Sequence, residues 1–189
     1  MNTLKKFFGH LHTVTHHKHI VIKNCARAGI LWQGIKHDLS KYSPTEFAPG
    51  VKYYTGDRSP NEGERRDLGY SKAWIHHKGR NKHHYEYWQD IDLETKSYKY
   101  YPMPYKYLAE MFCDRIAASK VYRGKDYKDN DPLIYFNGGQ AKVMMASETT
   151  RDLEELLSML AEKGEKQTFK YLKQEIKRRK KDERRLYFL

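Results

Sequence analysis

Cysteine is nearly absent from this chain, and its two copies, Cys25 and Cys113, exclude a disulfide framework and a thiolate zinc site. Both lie among apolar neighbours typical of helices, which reads as reduced packing thiols in a cytoplasmic protein. Long apolar runs are missing too. None approaches the roughly 20 residues needed to cross a bilayer, so no membrane span is expected. The first residues, "MNTLKKFFGHLHTVTHHKH", carry cations without an apolar stretch and small residues after it, so no secretory signal is expected there. Strand-like alternation, internal repeats and low-complexity segments are also lacking.

What is present is helical periodicity and positive charge. The 36 basic residues exceed the 24 acidic ones, and the formal charge of +12 favours a polyanionic partner such as a nucleotide, nucleic acid or anionic lipid. With 39% hydrophobic and 14% aromatic residues over 189 positions, one domain with one core is expected.

Apolar residues from Leu4 to Ala28 recur every three or four positions and predict one or two helices ending near Gly29. A second helix is expected from about Leu31 to Tyr42, stopped by Ser43-Pro44. Residues 45–67, with Pro49, Gly50, Gly56, Pro60 and Gly63, read as a long functional loop with room for a helical turn. Helices are expected from about Asp67 to His77 and from Lys82 to about Trp88, with Gly79-Arg80-Asn81 between them, followed by an irregular stretch over 91–104. The strongest apolar stripe runs from Tyr105 to Tyr122, ahead of Gly124. After a polar loop, "SETTRDLEELLSMLAEKG" predicts a helix capped by Ser147 or Thr149 and ended at Gly164. A basic helix follows from about 165 to 185. The fold class is all-α.

Several polar residues stand at helical positions with apolar neighbours: His17 or His19, the doublet His37-Asp38, the pairs His76-His77 and His83-His84, and Asp114 in "EMFCDRIAAS". A carboxylate buried in such a helix needs a cation, a hydrogen-bond network or a metal. Imidazoles and carboxylates are the ligands that divalent iron, manganese, cobalt, nickel and zinc share. On a helix His37 and Asp38 would point about 100° apart and reach one ion beside it. Gly79 and Asn81 should break the helix between the two pairs, so that the pairs approach from two helix ends. The competing reading is a hydrogen-bonded buried histidine, salt-bridged aspartates and a solvated polar loop.

The order His17, His37-Asp38, the pairs in "AWIHHKGRNKHHYEYW", and Asp114 in "FCDRIAASKVY" resembles the HD-domain superfamily of metal-dependent phosphohydrolases. More narrowly, "HDLSKYSPTEF", "HHKGRNKHHYEYW" and "MPYKYLAEMFCDR" look like an uncharacterised bacterial and phage family of unknown function, over most of residues 10–165. The broader resemblance implies a single HD-like helical domain in which one His, the His-Asp doublet and the final Asp bind a first ion, while histidines of the middle helices accompany a second. His16, His17 and His19 compete for the first place, and either member of each pair could be the ligand. The expected metal residues are His17, His37, Asp38, His77, His84 and Asp114, with His76, His83 and His19 next.

The resemblance implies hydrolysis of a nucleotide or other small phosphate ester through one or two divalent ions. Asp38 or Asp114 would orient the attacking water, and Lys41 or Arg80 would hold the phosphate. Lys82 and Arg115 are further cations for that task, and Glu46 and Glu62 are candidate bases on the long loop. Two other readings are a di-iron oxygenase of the HD type and a basic nucleic-acid-binding module acting through "KRRKKDERR", its metal structural or absent.

Overall fold

The computed structural model describes the backbone of residues 1–186 and the side chains of residues 1–181. Eight α-helices and one two-stranded hairpin occur among them. The first helix, α1 (Thr3–Ala28), is a single rod. Asn2 caps it by accepting from the Lys5 N–H at 2.9 Å. Gly29, at φ 81°, ends it in the left-handed conformation, and the Ile30 N–H returns to the Cys25 carbonyl at 2.9 Å.

The expected second helix is shorter than its sequence pattern. Helix α2 spans Leu31–Lys36, and a 3-10 turn over Leu39–Tyr42 follows it. Between them Asp38 adopts φ 51° and ψ 30°, a left-handed conformation that aspartate tolerates better than most residues. Lys18 on α1 secures this break, donating to the carbonyls of Ile35 at 2.9 Å and His37 at 2.6 Å. His37 and Asp38 therefore do not share a helix.

Where the sequence predicts a loop over 45–67, the chain forms α3 (Pro44–Lys52) and α4 (Pro60–Leu68). Both begin with proline in the first helical turn, where its missing N–H costs nothing, so these prolines start helices rather than interrupt them. Helix α5 covers Lys72–Lys78, later than expected, with Ser71 as its cap. No helix spans Lys82–Trp88. That segment is a turn and a short 3-10 stretch, Tyr85–Tyr87. The residues after it pair as β1 (Gln89–Ile91) and β2 (Tyr98–Tyr100), antiparallel with Asp90 opposite Lys99.

Helix α6 (Tyr105–Arg123) is the central element, with residues on most of its circumference buried. Its Leu108, Phe112, Cys113, Ile116 and Ala117 meet Val21, Cys25 and Ala28 of α1 in one core. Phe136 of α7 (Asp131–Gly138), a helix unforeseen in the polar loop, joins them. So do Leu153, Leu156, Leu157, Leu160, Phe169 and Leu172 of α8 (Ser147–Leu186). Both cysteines are free and buried there.

Helix α8 is interrupted at Gly164, at φ 72° and ψ 171°. Asp152 and Arg179, on either side, form an ion pair at 2.7 Å, whereas in a straight helix they would stand about 40 Å apart. The chain therefore doubles back at Gly164. The basic segment packs through Phe169 and Leu172, and Arg179 is taken up by Asp152 and Glu175. Residues 187–189 lie outside the described residues. No described helix is long and apolar enough to cross a membrane.

Helix α2 crosses α1 at Gly34, where a Cβ would lie 2.7 Å from the Cβ of Cys25 and 3.1 Å from the Cα of Ile22. Gly34→Ala is expected to destabilise the fold by about 1–3 kcal/mol through overpacking, seen as a lower urea midpoint with an unchanged m-value.

Candidate functional site

Side chains from five segments converge between α1 and α6. His17 projects from α1, and His37 and Asp38 come from the break after α2. His77 lies on α5, His83 and His84 on the turn that follows, and Glu110 and Asp114 on α6. That turn is tied by Asn81, whose amide donates to the His77 carbonyl at 2.9 Å and to Ser40 Oγ at 3.0 Å. The glycine and asparagine between the pairs thus do break the helix, and the chain returns both members of the second pair toward α5.

Two sets of donor atoms share Asp38. His17, His37, Asp38 and Asp114 form one, and Asp38, His77, His83 and His84 the other, with the ligating atoms of each set within 4.8 Å of one another. His77 Nε2 and His83 Nε2 lie 3.3 and 3.4 Å from Asp38 Oδ1, and His37 Nε2 lies 3.2 Å from Asp38 Oδ2. Asp114 Oδ1 lies 2.9 Å from His17 Nε2 and 3.5 Å from His37 Nε2. Four ligands held about 2.1 Å from one ion stand about 3.4 Å apart in a tetrahedron, so these separations are those of a ligand shell. The Nε2 atoms of His37, His77, His83 and His84, with Asp38 Oδ1, are buried without a hydrogen-bond partner, while His17 Nε2 faces Asp114 and Asp38 Oδ2 faces Lys41 only as ion pairs. Unsatisfied buried groups are costly, and so many facing one space mark a place built for a ligand.

Carboxylates behind the rings hold the opposite nitrogens. Glu110 Oε1 lies 3.0 Å from His37 Nδ1 and 3.3 Å from His83 Nδ1. Glu46 bonds His77 Nδ1 at 2.8 Å and His76 Nδ1 at 2.6 Å. An imidazole that donates from Nδ1 presents the lone pair of Nε2, the tautomer a metal requires. Trp74 packs on the His77 and His84 rings, at centroid distances of 5.6 and 4.9 Å, and so walls the site, while Trp88 packs against the core.

The protonation states suit this arrangement. Burial would raise Asp38 and Asp114, yet the surrounding imidazoles hold both well below the usual carboxylate range, with Lys41 adding to the effect on Asp38. Glu110 falls to about 2 because hydrogen bonds from His37 and His83 outweigh its burial. Desolvation lowers His17 and lowers His84 strongly. His37 is also pulled down by burial, but Asp38, Asp114 and Glu110 outweigh it and raise its pKa well above the ordinary value. A cation entering the first set competes with that proton.

Other expected residues fall elsewhere. His16 and His19 are exposed and belong to neither set. His76 is a partner of Glu46, outside both sets. Arg80 is exposed, its guanidinium turned back to the His76 carbonyl at 3.4 Å. The half-buried Lys41 lies 2.6 Å from Asp38 Oδ2. Lys82 is exposed, its amine 5.7 Å from the Tyr87 ring. Glu62 pairs with Arg58 and Arg66 and joins neither set. Glu46 does reach the site, though as a support for imidazoles. Glu110 is absent from the sequence expectations, although it stands four residues before Asp114 and so on the same face of α6.

Fold and donors together define a class: an all-helical protein with a buried centre of histidines and carboxylates that could hold divalent ions. The chain belongs to a family of unknown function (DUF5662), whose profile matches residues 6–159. The second arm of α8 lies outside the matched segment. No curated protein and no solved structure matches the chain.

Proposed function

We propose that the two donor sets, with Asp38 a member of both, would hold divalent transition-metal ions, and that the chain is a metal-dependent phosphohydrolase of the HD type acting on a nucleotide or other small phosphate ester. The observation that carries this reading is the convergence of five buried imidazole nitrogens on the carboxylates of Asp38 and Asp114 at ligand spacing. The bound ions would neutralise charge on a phosphoryl group and acidify a water near neutral pH. The residues of the chain do the rest. His17, His37 and Asp114 hold one side of the centre, and His77, His83 and His84 the other. Glu110 and Glu46 keep the rings in the ligating tautomer. The open side lies toward Lys41, Asp114 and His17, whose side chains are 31%, 19% and 11% exposed, whereas His37 and His83 are buried at 0% and 2%. Substrate would approach from there, with Lys41 set to shield the negative charge of an arriving phosphate.

The test combines metal analysis with a hydrolysis panel. Purified protein should carry about two ions per chain and, supplied with manganese, cobalt or iron, release phosphate from at least one nucleotide or phosphate ester. Chelation should abolish release and re-addition restore it. Absence of release from a broad panel by the loaded protein would overturn the hydrolase. The nitrogen-rich donor set also suits a pair of irons, so oxygen consumption by the iron-loaded protein, without phosphate release, would favour the oxygenase instead.

A further inference from the structure

Several cations stand close in sequence to residues of the centre, and three are already engaged. Lys41 faces Asp38, Lys18 holds the Ile35 and His37 carbonyls, and Arg80 returns to the His76 carbonyl. Arg115, the residue after Asp114 on α6, differs from these. It is half-buried, its Nε is shielded from solvent without a hydrogen-bond partner, and it forms no ion pair among the described residues. Its guanidinium carbon lies 5.5 Å from the Phe136 ring centroid, a contact that orients the group without neutralising it. The loop residue Glu86 does not close the gap: its Oε2 is likewise buried and partnerless. An arginine stays charged in such surroundings, so the fold holds a half-buried cation whose shielded Nε has no hydrogen bond and no ion-pair partner within contact distance among the described residues.

A planar guanidinium fork matches the paired oxygens of a phosphate, and an anion supplied from outside would offset the desolvation. We propose that Arg115 is a substrate-binding residue that grips a phosphate group of the substrate beside Asp114, a task the sequence alone assigned first to Lys41 and Arg80. The inference deepens the phosphohydrolase reading and rests on it. It restricts the substrate to compounds with a phosphate whose oxygens are free to take two parallel hydrogen bonds.

The experiment titrates inorganic phosphate into full-length wild-type protein, Arg115→Met and Arg115→Lys by calorimetry, with metal content measured on the same samples. Arg115→Met should weaken phosphate binding about 10- to 100-fold, the loss expected for hydrogen bonds to a charged group. Its metal content should match wild type, because Arg115 is in neither donor set. If the methionine variant loses its helical circular dichroism, Arg115→Lys carries the test. It keeps charge and stem but loses the fork, and should still bind phosphate several-fold more weakly. Wild-type phosphate affinity in a folded Arg115 variant, or no phosphate binding by the wild-type protein, overturns this inference alone. Absence of metal from the wild-type protein overturns the dinuclear reading, and the phosphate titration reports on Arg115 in either case.

Discussion

Replacing Asp38 by alanine is expected to empty both donor sets at once. Its Oδ1 faces His77 and His83 at 3.3 and 3.4 Å, and its Oδ2 faces His37 at 3.2 Å, so one carboxylate serves both sides. His17 and His84 each belong to a single set. Metal analysis should therefore read about two ions per chain in wild type, about one in His17→Ala or His84→Ala, and close to none in Asp38→Ala. The metal-free variant should also lose stability. Asp38 offsets the charge of Lys41 at 2.6 Å and of a His37 whose pKa is raised, and stranding buried charge costs about 3–5 kcal/mol. Alanine also tolerates the left-handed backbone less well than aspartate. Asp38→Asn separates the two effects, since it keeps the shape and the backbone preference and loses only the charge. Wild-type metal content in Asp38→Ala would remove the shared-ligand assignment.

The second large effect is expected at a residue that binds no ion in this scheme. Glu110 holds His37 Nδ1 at 3.0 Å and stands 3.3 Å from His83 Nδ1, one ring from each donor set, while Gln33 anchors its other oxygen at 2.9 Å. Without it both rings are free to rotate and to exchange tautomers. Glu110→Ala should weaken metal binding at both sets by about 10- to 100-fold, the usual cost of losing a carboxylate behind a ligating histidine. Competition with a fluorescent chelator measures this directly. Glu46→Ala should act on the His77 side alone, since its contacts are to His76 and His77. Equal metal affinity in wild type and Glu110→Ala would show that the carboxylate does not set the tautomer.

The two predictions differ in how far they could be read from the chain. Asp38 stands out as half of a doublet beside helical apolar positions, and Asp114 as a carboxylate inside an apolar stripe. Glu110 carries the same signal, four residues before Asp114 in that stripe, yet an isolated glutamate on a helix is ordinarily solvated. Only the approach of His37 and His83 gives it a task. Glu46 lay in a segment whose prolines and glycines imitate a loop: Pro60 starts a helix and Pro49 sits inside α3, and both look like turn residues until the flanking helical turns are seen.

Local properties were settled by the sequence itself: the all-helical class, the apolar α6, the helix stops at Gly29, Gly124 and Gly164, and an inventory of imidazoles and carboxylates. Each depends on periodicity, capping or composition within a few residues. Which imidazole faces inward was decided by tertiary structure. His17 rather than His16 or His19 points at α6, both His83 and His84 return toward α5, and Asp38 leaves the helix for a left-handed turn held by Lys18. These outcomes depend on contacts between residues distant in sequence, such as His17 with Asp114 and His83 with Glu110. Helical spacing states which side chains share a face, and only packing states what that face meets.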